Sequence, residues 1–159
     1  SIWTGESILN PENNEYSLLE TNIDDMSPEI IGYVQERLFD IGVLDVWTTP
    51  IYMKKNRPAI KISCILPNDL EKKVANVLLE ETSTFGVRSR DVLRYEADRK
   101  IKKIDTRLGA INVKLKIIGG KVVGAYPEYE DCRRIAIDKS IPLQNVMELA
   151  QTQANQLLD

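Results

Sequence analysis

Three cations crowd into Met53-Lys54-Lys55-Asn56-Arg57-Pro58, two carboxylates adjoin at Asp24-Asp25, and the hydroxyl run Thr82-Ser83-Thr84 stands just ahead of Gly86 and Arg88. Each residue type suits a different part of an anionic ligand. Arginine presents a planar fork that grips phosphate oxygens bidentately, and lysine acts as a point charge. Adjacent aspartates at a strand end hold a hard cation that bridges to phosphate. Short hydroxyls before a glycine offer donors on a permissive backbone. Singly, each cluster also has an ordinary explanation: a solvated hairpin tip, a helix cap, a helix-stop turn. Glu128, Glu130 and Asp131 form a further acidic group near a helix start, where capping and the helix dipole account for most of it.

The composition narrows the chemistry. Histidine is absent, which excludes Ser-His-Asp and Cys-His nucleophilic systems and the His-containing zinc sites. A metal ion would be held by carboxylates, hydroxyls and substrate oxygens, a donor set for magnesium or manganese. Cys64 and Cys132 do not make a disulfide framework and read as small apolar residues. With 28% charged residues but a net charge of only −3, no general nucleic-acid coat or acidic tail is implied, so any cationic site is local. A sequence pI of 5.2 and the lack of stacking aromatics on the first and third strands argue against a nucleic-acid partner. No apolar run approaches the roughly 18 residues of a membrane span and no signal segment opens the chain. The expectation is a cytoplasmic protein without membrane attachment. The chain starts at Ser1 and leads with Asn10-Pro11-Glu12-Asn13-Asn14, which reads as a linker within a longer protein.

The elements that must position these clusters follow from periodicity. Tyr16 to Ile23 reads as a strand that ends at Asp24-Asp25. Ser27 then caps a helix with Pro28 at its first position and Glu29 against the dipole; Ile31, Val34, Leu38 and Ile41 recur at helical spacing and Gly42 stops it. Val43 to Met53 reads as the second strand, and Ala59 to Leu66 as a third beyond the cationic hairpin. A second helix carries Leu70, Val74, Val77 and Leu78, and a fourth strand starts at Gly86 and runs through Val87, Val92 and Leu93. The order β-α-β-β-α-β predicts a ferredoxin-like lobe over 16–97, after a linker-like lead over 1–15. With strand directions alternating as that fold requires, all three polar clusters fall at one end of the sheet. That convergence turns three ordinary features into a phosphate and hard-cation site. Residues 98–159 predict a second small α+β lobe: strand pieces around Ile101 to Ile104, a strand from Ala110 to Ile118, a Gly119-Gly120 hairpin continued by Lys121 to Tyr126, and two helices. The fold class is therefore α+β.

The run Leu19-Glu20-Thr21-Asn22-Ile23-Asp24-Asp25-Met26-x-Pro28-Glu29, together with Met53-Lys54-Lys55-x-Arg57-Pro58 and Glu81-Thr82-x-Thr84-x-Gly86-Val87-Arg88, resembles the LarC-type nickel insertion proteins of nickel-pincer nucleotide cofactor biosynthesis. Pro127-Glu128-Tyr129-Glu130-Asp131 is similar to a fourth motif of that family. The match covers most of residues 16–140 and is similar to the C-terminal part of the family. It implies a CTP-dependent cyclometallase that inserts nickel into pyridinium-3,5-bisthiocarboxylic acid mononucleotide for the cofactor of lactate racemase, using CTP with Mn2+ or Mg2+. By this resemblance Lys54, Lys55, Arg57 and Arg88 meet the triphosphate, Thr82, Ser83 and Thr84 donate to the nucleotide, and Asp24 and Asp25 lie around the metal ion. Its implied partners are CTP, the bis-thiocarboxylate mononucleotide and an N-terminal region of the same protein. A trimer or hexamer is expected, because ferredoxin-like lobes leave two sheet edges to cover. The alternative function is a non-catalytic, nucleotide-sensing ferredoxin-like regulatory module.

Overall fold

The computed structural model describes residues 15–159, so all of the linker-like lead except Glu15 lies outside the described residues. These residues divide into two compact units, 15–94 and 95–159.

The first unit runs β1 (Tyr16–Ile23), α1 (Pro28–Ile41), β2 (Asp45–Met53), β3 (Arg57–Pro67), α2 (Glu71–Glu81) and β4 (Arg88–Val92). Its sheet has the order β2-β3-β1-β4, with every neighbouring pair antiparallel. This is the ferredoxin-like arrangement. Alternate residues of β1 and β3, Leu19, Ile23, Ile62, Cys64 and Leu66, pack against Ile31, Val34 and Leu38 of α1 and Val74, Val77 and Leu78 of α2. The opposite face carries Glu20 and Asn22 of β1, which the register sets beside Lys61 and Ser63 of β3 and Arg88 of β4.

Local chemistry explains the helix ends. The Ser27 hydroxyl accepts from the Ile30 amide, and Pro28 occupies the first turn, where its missing donor is not needed. Gly42 adopts φ 109°, and its amide together with that of Val43 returns to the Leu38 carbonyl. Val43 is thereby part of the helix stop, so β2 starts at Asp45, two residues later than periodicity predicts. The fourth strand also starts later, at Arg88; before it the Gly86 carbonyl accepts from two side-chain hydroxyls, those of Thr21 on β1 and Thr84 in the preceding loop.

The second unit is a three-stranded meander, β5 (Asp98–Thr106), β6 (Gly109–Ile118) and β7 (Lys121–Pro127), followed by α3 (Tyr129–Lys139) and α4 (Leu143–Ala154). The strand pieces expected around Ile101 form one continuous nine-residue strand. Gly119 and Gly120 both have positive φ, 58° and 76°, as a two-residue type I′ hairpin demands. The core gathers Ile111, Cys132, Ile135, Val146 and Ala150 in one cluster and Val113, Leu115, Ala125 and Ala154 in another. Among the described residues no helix is long and apolar enough to cross a membrane.

Candidate nucleotide and metal site

The three clusters meet at the end of the first unit where β1 finishes, β3 begins and α2 passes into β4. Met53 pairs with Arg57 across the hairpin, leaving Lys54, Lys55 and Asn56 as its tip. Lys55 and Asn56 both take left-handed backbone conformations, φ 60° and 56°. Asparagine tolerates this, whereas lysine does so against a preference of roughly 1 kcal/mol. Lys54 and Lys55 are exposed and have no ion-pair partner among the described residues. Arg57 is turned towards β1, its Nη1 3.5 Å from Oδ2 of Asp24.

Asp25 faces the other way. Its Oδ1 accepts a hydrogen bond from the Ser83 hydroxyl, while the Ser83 amide donates to the Met26 sulfur at 3.2 Å. Arg88, first residue of β4, donates from Nη2 to Oδ1 of Asn22 at 2.9 Å. Ser83 is thus joined to the β1–α1 turn and Arg88 to the end of β1. The other two hydroxyls serve the scaffold. Thr82 donates back to the Leu78 carbonyl at 2.5 Å, ending α2 on itself. Thr84, the buried Thr21 and the Gly86 carbonyl form a triangle with sides of 2.6, 3.1 and 2.9 Å, in which two hydroxyl protons serve three edges. That triangle clamps the α2–β4 loop to the middle of β1.

A second ionic group, not singled out from the sequence, lies on the open sheet face beside the cluster. Glu20 has Lys61 Nζ at 3.3 Å and Arg90 Nη2 at 3.9 Å, and accepts from the Ser63 hydroxyl at 3.3 Å. Burial pushes its carboxyl up, but the hydrogen bond and charge of Lys61, the Ser63 hydroxyl and the charge of Arg90 together outweigh this and hold it below the ordinary value. Alternation along β1 places Glu20 with Asn22 on this face. Its cationic partners depend on strand register.

In total, Lys54, Lys55, Arg57, Lys61, Arg88 and Arg90 oppose Asp24, Asp25 and Glu20 here, a surplus of positive charge in a chain that is negative overall. The cluster suits an oligo-anion that displaces or bridges the resident acids. A metal ion held by protein alone does not fit, since no group of three or more Cys, Asp or Glu converges among the described residues. Asp24 and Asp25 are held by different neighbours, Arg57 and Ser83. Glu128 and Asp131 belong to the second unit and have structural partners there. The Glu128 amide donates to the Asn112 carbonyl at 2.8 Å, Asp131 accepts from the Asn112 amide at 2.8 Å, and Arg134 lies 3.3 Å from Asp131.

Fold and side-chain placement together define a two-unit α+β protein whose ferredoxin-like unit carries a cation-rich cluster at one sheet end. The chain belongs to the nickel insertion protein family, matching it over residues 3–147. It is 43% identical to a pyridinium-3,5-bisthiocarboxylic acid mononucleotide nickel insertion protein of Clostridium kluyveri, covering 96% of this chain and 38% of that protein. To the protein of the same description from Clostridium acetobutylicum it is 45% identical, covering 88% of this chain and 33% of that one. The chain thus spans little more than a third of the length of these relatives. Among solved structures it is similar to LarC2, described as the C-terminal domain of a cyclometallase involved in the synthesis of the NPN cofactor of lactate racemase. That likeness has a TM-score of 0.83 and 33% identity, and covers 89% of this chain and 96% of that one. A Methanopyrus kandleri protein shares the fold, with a TM-score of 0.66 at 24% identity over 88% of this chain and 86% of that one.

Proposed function

We propose that this chain supplies the metal–CTP-binding part of a CTP-dependent cyclometallase that inserts nickel, as a substrate, into pyridinium-3,5-bisthiocarboxylic acid mononucleotide. The observation that carries the reading is the gathering at one end of the sheet of Arg57 on Asp24, Ser83 on Asp25 and Arg88 on Asn22, beside the exposed hairpin lysines Lys54 and Lys55. Lys54 and Lys55 meet the triphosphate as point charges, while Arg57 and Arg88 exchange Asp24 and Asn22 for phosphate oxygens. Asp24 and Asp25 then hold the Mn2+ or Mg2+ ion that travels with the nucleotide, neutralising charge between carboxylate and phosphate. Ser83 is the hydroxyl best placed to follow Asp25 onto the ion or the nucleotide. Thr82 and Thr84 fix the loop that presents it.

Calorimetric titration with CTP and manganese tests this directly. Binding should weaken steeply as salt rises, because phosphate contacts dominate it. The absence of both heat and thermal shift at millimolar nucleotide would refute the reading. Consumption of CTP coupled to nickel transfer, measured on a protein with the full length of the relatives, separates the insertase from a nucleotide-sensing module that binds without turnover. The same reading includes assembly into a trimer or hexamer, which light scattering checks; a monomer at high concentration removes that part alone.

A further inference from the structure

The second unit contains a cavity of about 380 Å³ lined by Lys100, Lys102, Leu115, Ile117, Val122 and Leu157. It opens where the helical layer runs out. α4 ends at Ala154 and the chain turns through Asn155–Leu157, so Leu157, beyond the helix, forms one wall beside Leu115, Ile117 and Val122. Lys100 and Lys102 are on the helix-facing side of β5: Ile104, two residues on, packs into both core clusters, and the register sets Lys100 opposite Leu115 and Lys102 opposite the buried Val113. A charge pointing inward from an edge strand discourages sheet-to-sheet pairing. One such lysine meets that need; here two successive inward positions flank the same cavity.

We propose that this cavity binds a planar aromatic ring bearing two anionic groups in meta relation, the form of the pyridinium bis-thiocarboxylate; the inference rests on the function proposed above and assigns the ring end of that substrate to the second unit. The chemistry is divided within the cavity. Leu115, Ile117, Val122 and Leu157 offer methyl and methylene surface to a ring face, and the lysine stems extend it while their ammonium groups stay at the rim. Residues two apart on a strand are about 7 Å apart, comparable with the span between the outer oxygens of two carboxylates placed meta on a six-membered ring. The volume is in the small-molecule range of roughly 300–1,000 Å³. A triphosphate is a poor occupant, since the apolar floor leaves its oxygens without donors. A fatty acid uses one ammonium group and leaves the other idle. A meta-dianion on an aromatic ring uses every part of the lining.

The test is an amide-resolved NMR titration of the whole chain with pyridine-3,5-dicarboxylate, run beside pyridine-3-carboxylate and hexanoate. Saturable shifts centred on Leu115, Ile117 and Val122 are expected, with the dicarboxylate about tenfold tighter than either monoanion. The double change Lys100→Gln with Lys102→Gln should weaken the dicarboxylate by at least about tenfold, and the charge reversal of both to glutamate should abolish binding. The amide spectrum itself reports whether each variant is folded. Absence of saturable shifts, shifts centred on residues 54–57 and 82–88 instead, or equal affinity in the glutamine variant overturns the proposal. CTP titrations of the same samples keep the two readings apart. The glutamine variant should bind CTP unchanged, and a wild-type chain that takes the dicarboxylate but not CTP refutes the triphosphate site alone.

Discussion

Replacing Asp24 by asparagine keeps the side-chain shape and removes one charge from the pair with Arg57. In the resting site Arg57 Nη1 is 3.5 Å from Asp24 Oδ2, and the guanidinium is 53% exposed while the carboxylate is 19% exposed. A pair this open to solvent contributes about 0.2–1 kcal/mol, which a triphosphate must surrender before it takes Arg57. Asp24 also repels the nucleotide, by about 1 kcal/mol per unit-charge pair at 4 Å in bulk water and more in a drier site. With EDTA present, Asp24→Asn should therefore leave CTP affinity unchanged or tighten it, by up to about tenfold at 1.4 kcal/mol. With manganese present the same change removes a carboxylate from the proposed metal site and should weaken CTP by about tenfold or more. Arg57→Ala behaves differently. It deletes a charge-assisted fork worth on the order of 2 kcal/mol, about thirtyfold, whether or not metal is present. Calorimetric titration of wild type and both variants, each with manganese and with EDTA, reads four ratios. Equal losses for Asp24→Asn under both conditions would refute the metal role and make Asp24 a helix cap or a direct nucleotide contact.

Three further changes probe the scaffold of the site and of the second unit. Thr21→Val preserves the buried volume but takes one hydroxyl from the Thr21, Thr84 and Gly86 triangle, so stability in chemical denaturation should fall by about 1–3 kcal/mol and CTP affinity should fall with it as the Ser83 loop loosens. A stable variant with unchanged affinity would show that the clamp does not position Ser83. Glu20→Gln should destabilise the first unit at neutral pH, with the difference fading in acid: a carboxyl whose folded pKa lies below its unfolded value contributes stability above the unfolded pKa and loses it as pH falls through the folded one. Denaturation curves for both proteins from neutral pH to below the ordinary carboxylate range should converge, and parallel curves would contradict the assignment to Lys61, Ser63 and Arg90. Asp131→Ala leaves the Asn112 amide without its acceptor, so the second unit should lose about 1–3 kcal/mol, read as lost amide protection in β6 and α3, while CTP binding stays unchanged.

Direction was legible in the sequence because it depends on the order of elements and on their ends. Ser27-Pro28 and Gly42 bound one helix, the cationic hairpin reverses the chain once, and alternating directions then carry Asp24, Arg57 and Arg88 to the same end of the sheet. Register is a different kind of information. Leu19 opposite Cys64, and not one residue to either side, is what sets Glu20 against Ser63 and beside Lys61 and Arg90. A slip of one residue would send the same glutamate into the helical core. Nothing local to Tyr16–Ile23 encodes that choice; it follows from the joint fit of both strands to α1 and α2. The three hydroxyls make the same point at shorter range. Thr82, Ser83 and Thr84 are equivalent donors on paper, but a helix end offers an unpaired carbonyl four residues back, and Leu78 takes the proton of Thr82. Thr84 is claimed by Thr21, 63 residues away. Ser83 makes neither of these bonds and donates to Asp25 instead. Which hydroxyl faces the aspartates is therefore decided by what the other two must do to hold the loop.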